Sequence, residues 1–350
     1  MRATAHNAAN GIMLRVMRII ALEEHFTTLP IREANEDHPL ESMYRLLAQA
    51  GLWKSPPGAV VPVGIDDIGA GRIAAMDEAG IDVQVLSQTT PGVEMLEAGP
   101  AVRLAKEAND AIAGAVEAHP ARFRGFAHLP VQDPAEAARE LERAVTQLGF
   151  VGAMLNGHVR GEYLDDQKYW PIFAKAEELG VPVYLHPTRP PQAVVDAQYA
   201  GFSPAVTEML AAPAFGWHVD AGLHALRLIL AGLFDRHPGL QMILGHQGET
   251  LPFMIDRASE RLASVVRLST SIKEAFASHF SITFAGFFTY PPFVAAYHCL
   301  GADRILFSVD YPYSRNADGV AYLDRLPISA DDREKIAHRN AERLLGIAPA

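Results

Sequence analysis

Between residues 133 and 156 the chain shows the pattern that organises the rest of it. Asp133-Pro134 supplies an N-cap followed by proline in the first turn, residues 135–147 carry apolar side chains at helical spacing, and Gly149 ends the run. Phe150-Val151-Gly152-Ala153-Met154-Leu155-Asn156 then reads as an unbroken apolar stretch of strand length, as suits a strand buried on both faces of a parallel sheet. The order recurs. A helix predicted over 165–179 leads through Gly180 to Val181-Pro182-Val183-Tyr184-Leu185-His186, and one over 224–236 leads to the strand 240–246. Helices over 67–79, 100–119 and 293–300 precede strands over 81–88, 123–129 and 304–310.

Helix, glycine and apolar strand in alternation is the grammar of a parallel α/β protein. With residues 18–22 counted first and 279–283 seventh the strands number eight, which predicts a closed (β/α)8 TIM barrel. The chain exceeds the usual length of that fold, and the surplus falls in insertions after strand one (27–64) and strand five (188–220). The competing architecture is a doubly wound open sheet. It would usually carry a glycine-rich phosphate turn after strand one, and Glu23-Glu24-His25-Phe26 has no glycine. Residues 1–16 precede the first strand and read as an N-terminal extension to a single barrel domain over 17–350.

Composition narrows the chemistry. Lys and Arg total 30 against 41 Asp and Glu, a net charge of -11, with no basic run to neutralise phosphates, so nucleic acid is not an expected partner. The apolar stretch 12–22 is broken by Arg15 and Arg18 and lacks a small-residue cleavage site, so neither a membrane span nor a signal peptide is expected, and the cytoplasm is the expected compartment. Cys299 is the single cysteine, which excludes an internal disulfide and a zinc site built on cysteine pairs. Any metal must be held by His, Asp or Glu.

Active-site groups of a barrel project from the C-terminal ends of its strands. At those ends stand Glu23 and His25 after strand one, His128 after three, Asn156 after four, His186 after five, His246 after six and Asp310 after eight. Glu23 and His25 are two apart, so on an extended strand both point toward the mouth. With His186 and Asp310 they make a two-His, two-carboxylate set suited to zinc, manganese or another first-row divalent ion. Each residue has an ordinary structural alternative: a helix cap or surface turn for Glu23, His25 and Asp310, and hydrogen-bonded framework for His128 and His158. Glu24, between two inward groups, is expected in the barrel wall or at its rim. Glu249, three residues beyond His246, can hydrogen-bond that imidazole and raise its basicity, unless His246 only caps the next helix. Arg257 and Arg261, four apart on the helix after strand six, share a face that is either solvated or carboxylate-binding. Aromatic residues including Phe287 and Tyr313 either wall an apolar pocket or belong to the core.

The motifs Ala21-Leu22-Glu23-Glu24-His25-Phe26, Tyr184-Leu185-His186-Pro187, Leu244-Gly245-His246-Gln247-Gly248-Glu249 and Phe307-Ser308-Val309-Asp310-Tyr311-Pro312 together resemble those of the metal-dependent decarboxylases of the amidohydrolase superfamily, the γ-resorcylate, dihydroxybenzoate and 5-carboxyvanillate group. The resemblance runs from about Met17 to Leu345. It implies that Glu23, His25, His186 and Asp310 bind one divalent ion per chain, zinc or manganese, and that His246, paired with Glu249, lies beside the substrate. It also implies that Arg257 contacts a substrate carboxylate, reaching across a subunit interface in a homodimer or homotetramer; Asn156 and Tyr313 complete the expected substrate contacts. Gln247, Tyr311 and the segment 287–292 depart from the better-known pattern and leave the ring substituents open.

The expected reaction is non-oxidative decarboxylation of an ortho-hydroxy aromatic acid. Loss of carbon dioxide from a ring requires the ipso carbon to be protonated first, because a free aryl anion is too unstable. Asp310 is the expected proton donor, with His246 and Glu249 as its catalytic partners. The rival on the same scaffold is a metal-dependent hydrolase or hydratase acting on a lactone, ester or amide, since fold alone does not separate these reactions. A non-catalytic binding protein would explain the fold but not four intact ligands.

Overall fold

Eight short strands carry the fold: β1 (Ile20–Phe26), β2 (Val83–Gln88), β3 (Phe123–His128), β4 (Gly152–Asn156), β5 (Val183–His186), β6 (Met242–Leu244), β7 (Phe280–Thr283) and β8 (Ile305–Leu306). They lie parallel, in chain order, in one sheet. Leu22 of β1 bridges Ser308 just beyond β8, and its N–H donates to the Phe307 carbonyl at 3.0 Å, which brings the two edges together. This is the (β/α)8 barrel expected from the alternation. The computed structural model describes residues 17–49 and 64–349; the extension proposed for residues 1–16 lies outside the described residues.

In chain order the helices are α1 (Leu29–Ala34), α2 (Pro39–Gln49), α3 (Ala70–Ala79), α4 (Ala98–Ala118), α5 (Pro134–Thr146), α6 (Trp170–Leu179), α7 (Gln192–Gln198), α8 (Pro204–Ala211), α9 (Gly216–Leu230), α10 (Leu233–Arg236) and α11 (Leu251–Leu262), with α12 (Ile272–His279), α13 (Tyr290–Leu300), α14 (Asn316–Arg325), α15 (Ala330–Glu334) and α16 (Asn340–Leu345) after them. Their limits follow local chemistry. The Asp133 side chain accepts the Glu136 N–H at the start of α5, and Gly180, at φ 67°, ends α6. Several predicted helices differ in their limits; the one expected from 165, for instance, starts at Trp170, after a 3-10 turn at Gln167–Tyr169. The one expected from 67 starts at Ala70, because the Asp67 side chain takes the Gly69 N–H at 2.8 Å in a turn. The one expected over 224–236 begins already at Gly216 and is broken after Leu230 by Gly232, whose φ of 79° no helix interior adopts.

Inside the barrel, Ile20, Leu22, Val83, Val85, Phe126, Met154, Tyr184, Ile243 and Leu306 form one buried cluster. Side chains alternate along a strand, so two residues beyond an inward position is inward again. The step from Phe126, Met154 and Tyr184 therefore reaches His128, Asn156 and His186, a polar layer at the C-terminal mouth. The two insertions close over that mouth: Leu40, Met43 and Tyr44 of α2 pack with Ala212 and Trp217 from the second insertion.

His128 and His224 are among the buried imidazoles with framework partners. His128 Nε2 accepts the Val93 N–H at 3.0 Å and His224 Nε2 accepts the Leu164 N–H at 2.9 Å. Burial pushes each pKa down to about 3, so both stay neutral in the fold, while the unfolded chain protonates them near 6.5. Below pH 6.5 the unfolded state binds more protons, and stability falls with pH by up to about 1.4 kcal/mol per unit for each histidine. His224→Gln, which keeps an acceptor but cannot protonate, is expected to show a shallower loss between pH 6.5 and 5 in urea titrations than the parent chain. An equally steep loss would mean His224 titrates freely.

Candidate metal centre and active site

The four predicted ligands converge at the mouth. Glu23 Oε1 lies 3.3 Å from His186 Nε2 and 4.0 Å from His25 Nε2, and Asp310 Oδ1 lies 3.3 Å from His25 Nε2. The approach of Glu23 is not that of a regular strand. Glu23 has φ 60°, and the β1–β2 register shifts between Ala21 and Glu24, so a bulge, not simple alternation, turns its carboxylate toward His25. Asp310 likewise has φ 69°, just before the cis Tyr311–Pro312 bond. Glu23 Oε1 and His25 Nε2 are buried without a hydrogen-bond partner, and with His186 they form a cluster of carboxylate and imidazole groups whose chemistry fits a divalent cation. Around them sits a supporting layer: Tyr184 and Thr283 hydroxyls donate to Glu23 Oε2, and the Ser87 hydroxyl is 3.2 Å from His25 Nδ1. Gly245 admits this packing, since a Cβ there would stand 2.9 Å from Glu23 Oε2 and 3.0 Å from the Tyr184 hydroxyl.

A cavity of about 200 Å³ opens above the cluster, lined by His25, His186, His246 and Asp310 below and by Tyr44, Trp217 and Tyr313 from the covering segments. It is close to the size of an apolar void of about 150 Å³ that holds benzene, so one ring with small substituents fits. A family model described as "Amidohydrolase" matches residues 61–347. The chain belongs to the amidohydrolase family. It is 37% identical over 341 residues to a γ-resorcylate decarboxylase from a Polaromonas species, covering 94% of this chain and 98% of that one. Among solved structures it superposes with TM-score 0.85 on 5-carboxyvanillate decarboxylase from Sphingomonas paucimobilis, at 32% identity over 95% of this chain and 100% of that one. It also matches, with TM-score 0.80 and 36% identity over 96% and 98% of the two chains, a Polaromonas dihydroxybenzoic acid decarboxylase with bound manganese and the inhibitor 2-nitroresorcinol. Aromatic acid decarboxylases thus match this amidohydrolase along nearly its whole length.

Charge is managed closely at this mouth. His246 Nδ1 is 2.6 Å from Glu249 Oε1, the pairing expected from their spacing, and its Nε2 faces Glu23 Oε1 at 3.9 Å. Burial opposes a charged imidazole, but Glu249 and Glu23 outweigh it and raise the His246 pKa to about 10. Burial likewise opposes the Glu249 carboxylate, and His246 and His218 hold its pKa down at about 2. Burial and the Glu23 charge push Asp310 well above the usual carboxyl range.

Glu24 has a larger part than its expected place in the wall suggests. It is fully buried and accepts the N–H groups of Val309 and Tyr311 at 2.9 and 3.2 Å, so it grips the backbone on both sides of Asp310. Arg72, buried on α3, donates to the His25 carbonyl and lies over the Tyr311 ring.

Tyr313 lines the cavity as predicted. Asn156 stands beside His186 in register, buried, with its backbone N–H donated to Glu94 at 3.1 Å, but it is not in the cavity lining. Arg257 is also absent from the lining; its side chain is 57% exposed and 3.8 Å from Glu260. His158 holds a loop, between the Arg189 carbonyl and the Gly161 N–H. Sequence reasoning missed His218 and Trp217, neighbours at the start of α9. The Trp-His dipeptide lies in an insertion without a strand end to mark it.

Proposed function

We propose that this amidohydrolase removes carbon dioxide from an ortho-hydroxy aromatic carboxylic acid. The observation that carries the reading is a ring-sized cavity whose floor is a two-His, two-carboxylate cluster with Asp310 and His246 facing the same space. Glu23, His25, His186 and Asp310 would hold one zinc or manganese ion, which when bound supplies a Lewis-acid anchor for the carboxylate and the adjacent phenolic oxygen. Trp217 and Tyr313 wall the ring and keep water from it. Asp310 delivers a proton to the ipso carbon; the carbon–carbon bond then breaks and its electron pair restores the aromatic ring. His246, backed by Glu249, returns a proton to Asp310 for the next turnover.

Arg257 reaches a substrate only from a second copy of the chain. Exposed Phe253 and Met254, on α11 with Arg257, give its helix an apolar character that supports a homodimer or homotetramer.

The test is metal analysis of the purified chain coupled to carbon dioxide release from a panel of ortho-hydroxybenzoates with added manganese or zinc. Metal-dependent release from at least one member is the expected result. Bound metal, no release from any member and hydrolysis of a lactone instead would overturn the reading in favour of a hydrolase.

A further inference from the structure

The Glu249 carboxylate has two imidazoles, and only one is explained by the spacing of the His246-Gln247-Gly248-Glu249 turn. His218 Nδ1 lies 2.8 Å from Glu249 Oε2, while His246 Nδ1 holds Oε1 at 2.6 Å. All three groups are buried, and the two rings are 4.6 Å apart. The Phe287 ring packs edge-on against both, with centroids at 4.9 and 5.4 Å. Helix α9 approaches closely enough only because residue 222 is glycine: a Cβ there would stand 2.2 Å from the Glu249 carbonyl oxygen.

The far side of His218 identifies its protonation. Trp217 Nε1, which can only donate, is 3.0 Å from His218 Nε2, and the Pro213 carbonyl is 3.2 Å from the same nitrogen. A neutral ring with its proton on Nε2 would set two N–H groups against each other and leave Nδ1 without a proton facing a carboxylate. A proton on Nδ1 satisfies both the indole and Glu249, the two shorter contacts, and leaves only the longer one to the Pro213 carbonyl without a donor. The three groups also have the composition of a metal site, their nearest ligand atoms lying within 4.8 Å of one another. A proton on Nδ1 of each ring makes both imidazoles donors to the carboxylate instead of ligands.

We propose that His218 is a positioning residue for His246: by occupying Glu249 Oε2 it locks the carboxylate, so that Oε1 holds the His246 Nδ1–H and His246 Nε2 is aimed at the cavity. Trp217 forms part of the cavity wall, so its bond to His218 ties the seating of the ring to the group that handles the proton. Without His218, a buried carboxylate oxygen loses its donor, the carboxylate turns, and His246 turns with it. The inference deepens the decarboxylase reading and rests on it only for the kinetic part of its test.

His218→Phe keeps a ring of similar size without the hydrogen bond, and His218→Asn restores a donor near the Nδ1 position. In zinc-loaded protein, the slowly exchanging His246 Nδ1 proton is expected by NMR in the parent chain, to be lost or broadened in H218F and to return in H218N. This readout needs no turnover, so it stands even if no substrate in the panel reacts. With an active substrate, H218F is expected to lower kcat about 10- to 100-fold, the range for outer partners of site histidines, with KM little changed. Adding H218F to H246N is expected to cost nothing further, because the first change acts through the second residue. An unchanged His246 resonance in folded H218F, losses that multiply in the double variant, or a second zinc per chain that disappears with His218 would each overturn the proposal.

Discussion

Glu23→Ala is expected to lose metal and turnover together, and His186→Ala to do the same. Glu23 Oε1 is the negative centre of the cluster, within 3.3 to 4.0 Å of the Nε2 atoms of His186, His246 and His25. Removing it leaves His186 and His246 without the carboxylate they face, and Asp310 beside His25 alone. A first-row ion held by mixed nitrogen and oxygen ligands depends on each of them, and loss of one from a set of four drops occupancy at micromolar metal. Glu23→Gln separates charge from volume: it fills the same space beside Tyr184 and Thr283 but carries no charge, and it is expected to bind metal poorly as well. Metal content by elemental analysis, beside a far-UV spectrum to establish folding, is the measurement. Full metal and full activity in either alanine variant would mean that the ion is held elsewhere.

The second large effect is expected at Asp310. In Asp310→Asn the amide oxygen remains beside His25, whose Nε2 stands 3.3 Å from Asp310 Oδ1 in the parent, but the group no longer carries an acidic proton. The backbone around it is held independently, since Glu24 accepts the N–H groups of residues 309 and 311. Metal and substrate binding are expected to fall less than in Glu23→Gln, because Asp310 stands beside one imidazole where Glu23 stands beside three, while kcat falls about 100- to 10,000-fold, the usual worth of a positioned general acid. Binding by titration and carbon dioxide release in a single turnover check the two halves separately. A variant that keeps kcat within about tenfold would move the proton donor to His246.

Two of the three aromatic walls of the cavity, Tyr44 and Trp217, and the His218 that backs Glu249 come from the insertions. The floor of the cavity is strand ends of a rigid barrel; its cover is Tyr44 from α2, Trp217 from α9 and Tyr313 beyond β8. Changes in the cover can alter the accepted ring without touching the ligands below.

Glu23, His25, His186, His246 and Asp310 were legible from the chain alone, because apolar runs mark the strands and a polar residue at the end of such a run must stand at the barrel mouth. That inference needs only local periodicity and the rule that the strands are parallel. The pairing of Glu249 with His246 was legible for a similar reason, three residues being a distance one turn spans. Other features had no local mark. The bulge at Glu23 arises from pairing with β2, and the grip of Glu24 on residues 309 and 311 exists only where β1 meets the chain beyond β8. His218 reaches Glu249 because Gly222 lets α9 approach a turn 27 positions along the chain, Gly222 to Glu249. Arg257, read as a substrate contact reaching across a subunit interface, is exposed within one chain. Periodicity along the chain determined the barrel and the residues at its mouth; the tertiary structure alone decided which side chains meet across it, since those meetings depend on packing between segments far apart in sequence.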